Sequence, residues 1–209
     1  MRSSRGLRSH LVVLVGALLL AACGGGDDDG ARDATTTSAG PATLTLTAGP
    51  VSVERTSAVG EAAPADVQAL LAAGAAYVRA ASLEPMAGRS APLRTVTTAE
   101  AAPRTTGPDA EALSDVGLGR IADVRVRSAP APVTILTDAN GAAVLGAVTI
   151  DVTITGDARR GPVTVRRTGE LAFVRAGDTW LLDSWRLSVT RDGRGVPPGT
   201  RTSSTTGAP

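Results

Sequence analysis

Between Val148 and Thr155 the chain alternates Val148, Ile150, Val152 and Ile154 with Thr149, Asp151, Thr153 and Thr155. Successive side chains of a β-strand point to opposite faces, so this segment has one buried and one solvated face. That pattern belongs to an antiparallel sheet lying on a core. The neighbouring segments must therefore supply the remaining strands and the layer that covers them.

After a basic loop over Gly156 to Pro162, Val163, Val165, Leu171 and Phe173 mark the inner positions of a return strand ending at Ala176-Gly177-Asp178. Arg167 and Gly169 fall on the same inner parity. Either the strand bends at Gly169, or Arg167 enters a pocket as an anion anchor, and the expectation is that Arg167 snorkels to the surface. In the last strand, Trp180 to Thr190, Trp180 and Leu182 share one parity while Trp185, Leu187 and Val189 share the other. A bulge at Asp183-Ser184 would return all of them to one face. Upstream, Ile121, Val124 and Val126 begin a strand that Pro130 and Pro132 interrupt and Val133 to Leu136 resumes, before an Asn140-Gly141 turn. Leu44 and Leu46, alternating with threonines over Thr43 to Thr47, predict a short edge strand, and Val51 and Val53 continue the pattern past Gly49-Pro50.

The cover is supplied by Ala62 to Ser82, where Val67, Leu70, Leu71, Gly74, Val78 and Ala81 form one helical stripe and Asp66, Gln68 and Arg79 lie off it. Pro64 suits the first turn and Asp66 complements the positive end of the helix dipole. Gly74 permits close approach to a sheet, and Tyr77, the only tyrosine, neighbours the stripe. Thr98 to Ala102 and Asp109 to Val116 predict short helical turns. Residues 193–209 have no period and read as a disordered tail. The element order is α+β, with N-terminal helices packed on a strongly curved antiparallel sheet over residues 43–192. A β-sandwich is the alternative, weakened by the long helix ahead of the strands.

Cysteine and histidine usage bounds the chemistry. The 209 residues contain one cysteine, Cys23, and one histidine, His10, and all 21 basic residues are arginines. Met1 to Ser9 is basic and acid-free, and Leu11 to Ala22 is apolar or small, which are the n-region and h-region of a secretory signal. The apolar run is too short to span a bilayer, for which about 20 residues are needed. Removing residues 1–22 takes away His10 and the three arginines Arg2, Arg5 and Arg8, leaving eighteen arginines against twenty acids. No polybasic surface for nucleic acid is indicated. Residues 23–42 carry glycines, three aspartates and three threonines without a hydrophobic period, a tether whose reach is about 24 Å as a flexible coil.

Leu20-Ala21-Ala22-Cys23 resembles the lipobox of bacterial lipoproteins. The resemblance implies that the Cys23 thiol receives a diacylglyceryl group and that the chain is cut just before it. It places the protein on the extracytoplasmic side of the cell membrane, held there by the lipidated Cys23. Two acyl chains suffice for stable anchoring where one is marginal. A second resemblance covers about residues 60 to 192. The element order and the closing pattern Gly169-Glu170-Leu171-Ala172-Phe173 to Gly177-Asp178-Thr179-Trp180-Leu181-Leu182-Asp183-Ser184-Trp185 are similar to the cone-shaped fold shared by nuclear transport factor two, the ketosteroid isomerases and the SnoaL-like domains. In that group the open end of the cone often forms an apolar pocket, and the enzymes place acids or histidines inside it.

The residues available for such a pocket are Tyr77, Arg167, Asp183 and Trp185. Isomerase-like chemistry would use a buried carboxylate as base with Tyr77 as oxyanion donor. Asp123, Asp151, Glu170 and Asp183 are the carboxylates considered for it, but strand parity puts Asp151 and Glu170 on the wet face, in a cross-strand ladder with Arg166. Trp180 and Trp185 are expected in the core. Without cysteine or histidine ligands and without a Gly-rich phosphate loop, no metal or cofactor is expected. The functional expectation is a non-catalytic, lipid-anchored envelope module that binds a partner protein or a small apolar ligand. An isomerase or dehydratase of small apolar substrates is the alternative.

Overall fold

The computed structural model describes residues 42–55, 63–106, 110–200 and 202–207. The signal, Cys23 and all but the last residue of the tether lie outside the described residues. Within them, one long helix packs on a mixed, mostly antiparallel sheet of seven strands. The strands are β1 (Ala48–Arg55), β2 (Ala122–Ser128), β3 (Ala131–Thr137), β4 (Ala143–Ala158), β5 (Gly161–Ala176), β6 (Thr179–Asp192) and β7 (Thr202–Gly207). A single sheet takes the place of the two facing sheets that a sandwich would need.

The Val148 to Thr155 alternation lies within β4, the strand around which the sheet is ordered. Val148, Ile150, Val152 and Ile154 are buried, while Thr149 and Thr155 are exposed. One edge of β4 is paired along its length by β5. The other is shared by β2, opposite residues 152–157, and β3, opposite residues 143–148. The break between them holds Pro130, which lacks the N–H a ladder needs, so the interrupted strand read from the sequence is two strands laid end to end.

The sheet departs from the antiparallel expectation at β1, which runs parallel to β3. β1 begins at Ala48, and the predicted strand over Thr43 to Thr47 is a lead-in without regular secondary structure that buries Leu46. The register shifts between Ala48 and Val51, so Gly49-Pro50 sits in an irregularity at an edge, where proline is tolerated. The second departure is β7. Residues 193–209 read as disordered because Thr, Ser and Gly carry no period. Thr202–Gly207 nevertheless pairs with β6 from Trp185 to Thr190, since backbone hydrogen bonding to an open edge does not need an apolar pattern.

The helix runs from Pro64 to Met86 as α1 (Pro64–Val78), one π-helical turn (Arg79–Leu83) and a last turn α2 (Glu84–Met86). Pro64 opens it and Asp66 lies in its first turn. Val67, Leu70, Leu71, Val78 and Ala81 are buried against the sheet, and burying one large aliphatic side chain is worth roughly 1.5–3 kcal/mol. Gly74 faces Leu46 and Val148, and a Cβ there would lie 3.1 Å from Leu46 Cδ1. The glycine lets the helix sit down on β4.

At β6, Ala172 pairs with Ser184 and Phe173 with Leu182, leaving Asp183 as the extra residue of a bulge. That bulge puts Trp180, Leu182, Trp185, Leu187 and Val189 all in the core. At Gly169 in β5, φ is +137° and an added Cβ would run into the Arg186 carbonyl oxygen. Only glycine fits there.

Candidate functional site

Arg167 stands on β5 between Val165 and Gly169, where the inner parity puts an apolar residue, and its side chain is fully buried. It does not snorkel. A buried guanidinium is tolerated only when its donors are met, and four groups, two from the long helix and two from residues 113–115, converge to meet them. Nε donates to Ser82 Oγ at 2.8 Å, Nη1 to Tyr77 Oη at 3.1 Å and to the Leu113 carbonyl at 3.0 Å, and Nη2 to Asp115 Oδ2 at 2.8 Å. The Tyr77 hydroxyl donates on to the same Leu113 carbonyl at 3.3 Å, and its ring centroid is 6.0 Å from the Arg167 Cζ.

Asp115 is buried and bridges two arginines. Its second oxygen accepts Arg191 Nε at 2.6 Å, and Arg191 Nη2 donates to the Ser114 carbonyl at 3.1 Å. The π turn of the helix organises this. It carries Ser82, and its Ala81 carbonyl accepts the Asp115 N–H at 2.7 Å and Ser114 Oγ at 3.3 Å. A widened turn therefore pins Ser114 and Asp115, which follow α3 (Ala110–Leu113), against the sheet, and π turns recur at such specialised positions.

Charge states follow from these partners. Burial pushes the Asp115 carboxyl up, but the Arg167 and Arg191 guanidiniums outweigh it and hold the group below the ordinary carboxylate range. Burial likewise opposes the Arg167 charge, and Asp115 more than restores it. Burial raises the Tyr77 phenol above its usual value despite the nearby Arg167. At neutral pH the cluster is an ionised carboxylate between two guanidiniums, with a neutral phenol beside it.

Of the four pocket candidates, Tyr77 and Arg167 are together in this cluster and the other two lie elsewhere. Asp183 is the half-buried bulge residue of β6, and it accepts the Thr98 hydroxyl at 2.9 Å. It anchors the Val96 to Thr98 segment, whose backbone bonds Leu182 on both sides, each at 2.9 Å. Trp185 is core. Its Nε1 donates to Thr205 Oγ1 at 3.5 Å, and Arg104 lies 5.5 Å over its ring. Asp151 pairs with Arg166 at 2.8 Å on the wet face, as parity required, while Glu170 is cross-strand from Arg186 rather than bonded to Arg166. Asp123 is exposed, with φ +50°.

Asp115 and Arg191 were not among the candidates. For Arg191 the signal was present, since it extends the parity of Trp185, Leu187 and Val189 by one more inner position. Asp115 carries no such mark, because it sits in an irregular turn whose place against Arg167 is a long-range fact.

The cluster borders a cleft of about 830 Å³ formed by residues 85–94, 105–106 and 110–120. Asp115 and Arg191 lie on its wall, Leu93 and Leu118 contribute apolar surface, and Val116 is 70% exposed beside it. Arg89, Arg94 and Arg120 line it as well. None of Tyr77, Arg167, Asp183 and Trp185 does. Among the described residues no group of three or more acids, histidines or cysteines is placed to hold a metal ion, and no helix is long and apolar enough to cross a membrane. No protein-family model, curated protein or solved structure matches the chain.

Proposed function

We propose that this chain is a lipid-anchored, extracytoplasmic module of the bacterial cell envelope, non-catalytic, which binds a partner protein or a small apolar ligand. Its domain is a cone-shaped, strongly curved fold of the nuclear transport factor two and ketosteroid isomerase type. The fold reading is supported by the long helix preceding the strands and by the bulge at Asp183 and the glycine-only position at Gly169, both of which bend strands.

The observation that carries the non-catalytic reading is the state of the buried cluster. An isomerase-like site needs a carboxylate of raised pKa free to take a proton. The acid beside Tyr77 is Asp115, which is depressed and tied to Arg167 and Arg191. The Tyr77 hydroxyl is spent on Leu113. The cleft reaches the cluster only at Asp115 and Arg191, which are tied to each other, and this suits holding a molecule rather than converting it.

The anchoring is tested in the native host by phase partition of the protein with and without globomycin, and by Cys23→Ala. The expected outcome is accumulation of the unprocessed form with globomycin, and loss of lipid-dependent partition in the variant. Unchanged processing and partition in both would sink the proposal.

A further inference from the structure

Among the described residues, the cleft formed by residues 85–94, 105–106 and 110–120 carries more positive charge than its ion pairs use. Arg89 is paired with Glu84, and Arg191 is engaged by Asp115 and the Ser114 carbonyl. Arg94 and Arg120 line the same cleft, are exposed, and have no ion-pair partner among the described residues. They approach it from different segments, Arg94 from the 3₁₀ turn Leu93–Thr95 and Arg120 from the loop after Val116–Leu118. The Arg120 stem lies against Gly88, where an added Cβ would be 3.9 Å from its Cδ. Among the described residues Asp115 is the only acid on the lining, and it is already committed to Arg167 and Arg191.

The rest of the lining is apolar or small, with Pro85, Pro92, Leu93, Val116 and Leu118 prominent. A volume of about 830 Å³ is within the range of small-molecule sites, roughly 300–1,000 Å³. Guanidiniums present paired donors that match carboxylate and phosphate oxygens. Apolar walls with two such cations fit a molecule that has an apolar body and an oxyanion head.

We propose that this cleft binds a single-chain anionic amphiphile, with the head on Arg94 and Arg120 and the apolar body against Leu93, Leu118 and Val116. The inference rests on the binding-module reading and narrows its ligand from apolar to amphiphilic and anionic. The same oxyanion head is offered by a free long-chain carboxylate and by a lysophospholipid phosphate.

The test is equilibrium dialysis of the full 209-residue chain against labelled oleate, oleoyl lysophosphatidate and the neutral oleyl alcohol, all below their aggregation thresholds. Saturable binding of one or both anions is expected, and the tighter of the two identifies the head group. Oleyl alcohol should bind about tenfold more weakly, the loss expected for a charge-assisted hydrogen bond. The double variant Arg94→Glu/Arg120→Glu should lower anion affinity at least about tenfold, and Arg94→Gln/Arg120→Gln should give a smaller loss in the same direction. Arg125→Glu/Arg127→Glu, on the exposed face of β2, should leave it unchanged. Matching thermal unfolding of the glutamine variant and the parent excludes misfolding as the cause.

Equal binding of alcohol and anions, or anion binding indifferent to Arg94 and Arg120, would overturn the assignment. Absent anion binding with Cys23-dependent partition intact refutes the ligand class alone. Arginine-dependent binding with partition indifferent to Cys23 refutes the anchoring alone.

Discussion

Asp115→Asn keeps the size of a fully buried side chain and removes its charge, leaving Arg167 and Arg191 facing a neutral amide. Removing one partner of a buried ion pair costs about 3–5 kcal/mol. Here one carboxylate serves two guanidiniums, and the expected loss is about 4 kcal/mol. Against a total stability of about 5–15 kcal/mol this is a large fraction. For a domain of this size it lowers Tm by about 8–16 °C. Urea unfolding at pH 7, followed by the fluorescence of the buried Trp180 and Trp185, measures the loss directly. Arg167→Met should rescue part of it in the double variant, because the charge needing compensation is gone, with a coupling of about 1–3 kcal/mol.

The same group predicts an acid limb. Its folded pKa is depressed, so its contribution is complete above the unfolded value near 4 and is lost as pH falls through the folded value. Between the two the unfolded state holds more protons, so stability rises with pH, and this component disappears in Asp115→Asn. A loss below about 1 kcal/mol at pH 7, or simple additivity with Arg167→Met, would refute the reasoning.

Gly169→Ala is expected to destabilise by at least about 3 kcal/mol, since it adds a Cβ against the Arg186 carbonyl at a φ of +137°; circular dichroism melts check it. Deleting residues 200–209 removes β7 and uncovers one edge of β6, so Trp185 should gain solvent contact and its emission should shift to the red. An unshifted emission maximum would mean that β7 does not cover Trp185. Arg166→Ala breaks an exposed pair with Asp151 and should leave the melting temperature unchanged, as most surface pairs contribute little.

Where period decided structure, the sequence was legible. The threonine-valine alternation of β4, the stripe of α1 and the two tryptophan parities of β6 each reported a local rule, and the Asp183 bulge followed from reconciling those parities. Two features escaped because they are set by pairing across long sequence separations. β7 has no apolar pattern, and its place depends on an edge left open by β6. Arg167 looked like a surface cation in an inner position because its partner Asp115 lies 52 residues away in an irregular turn. Sequence parity correctly placed the guanidinium inward, and the general expectation that arginine reaches for water was the rule that failed.

The claim on which the functional account turns is attachment through Cys23. Mass analysis of the N-terminal peptide from the membrane fraction tests it most directly. The account predicts a chain that begins at Cys23 and carries the mass of a diacylglyceryl thioether. A chain that keeps residues 1–22, or one that begins elsewhere with an unmodified thiol, would contradict it.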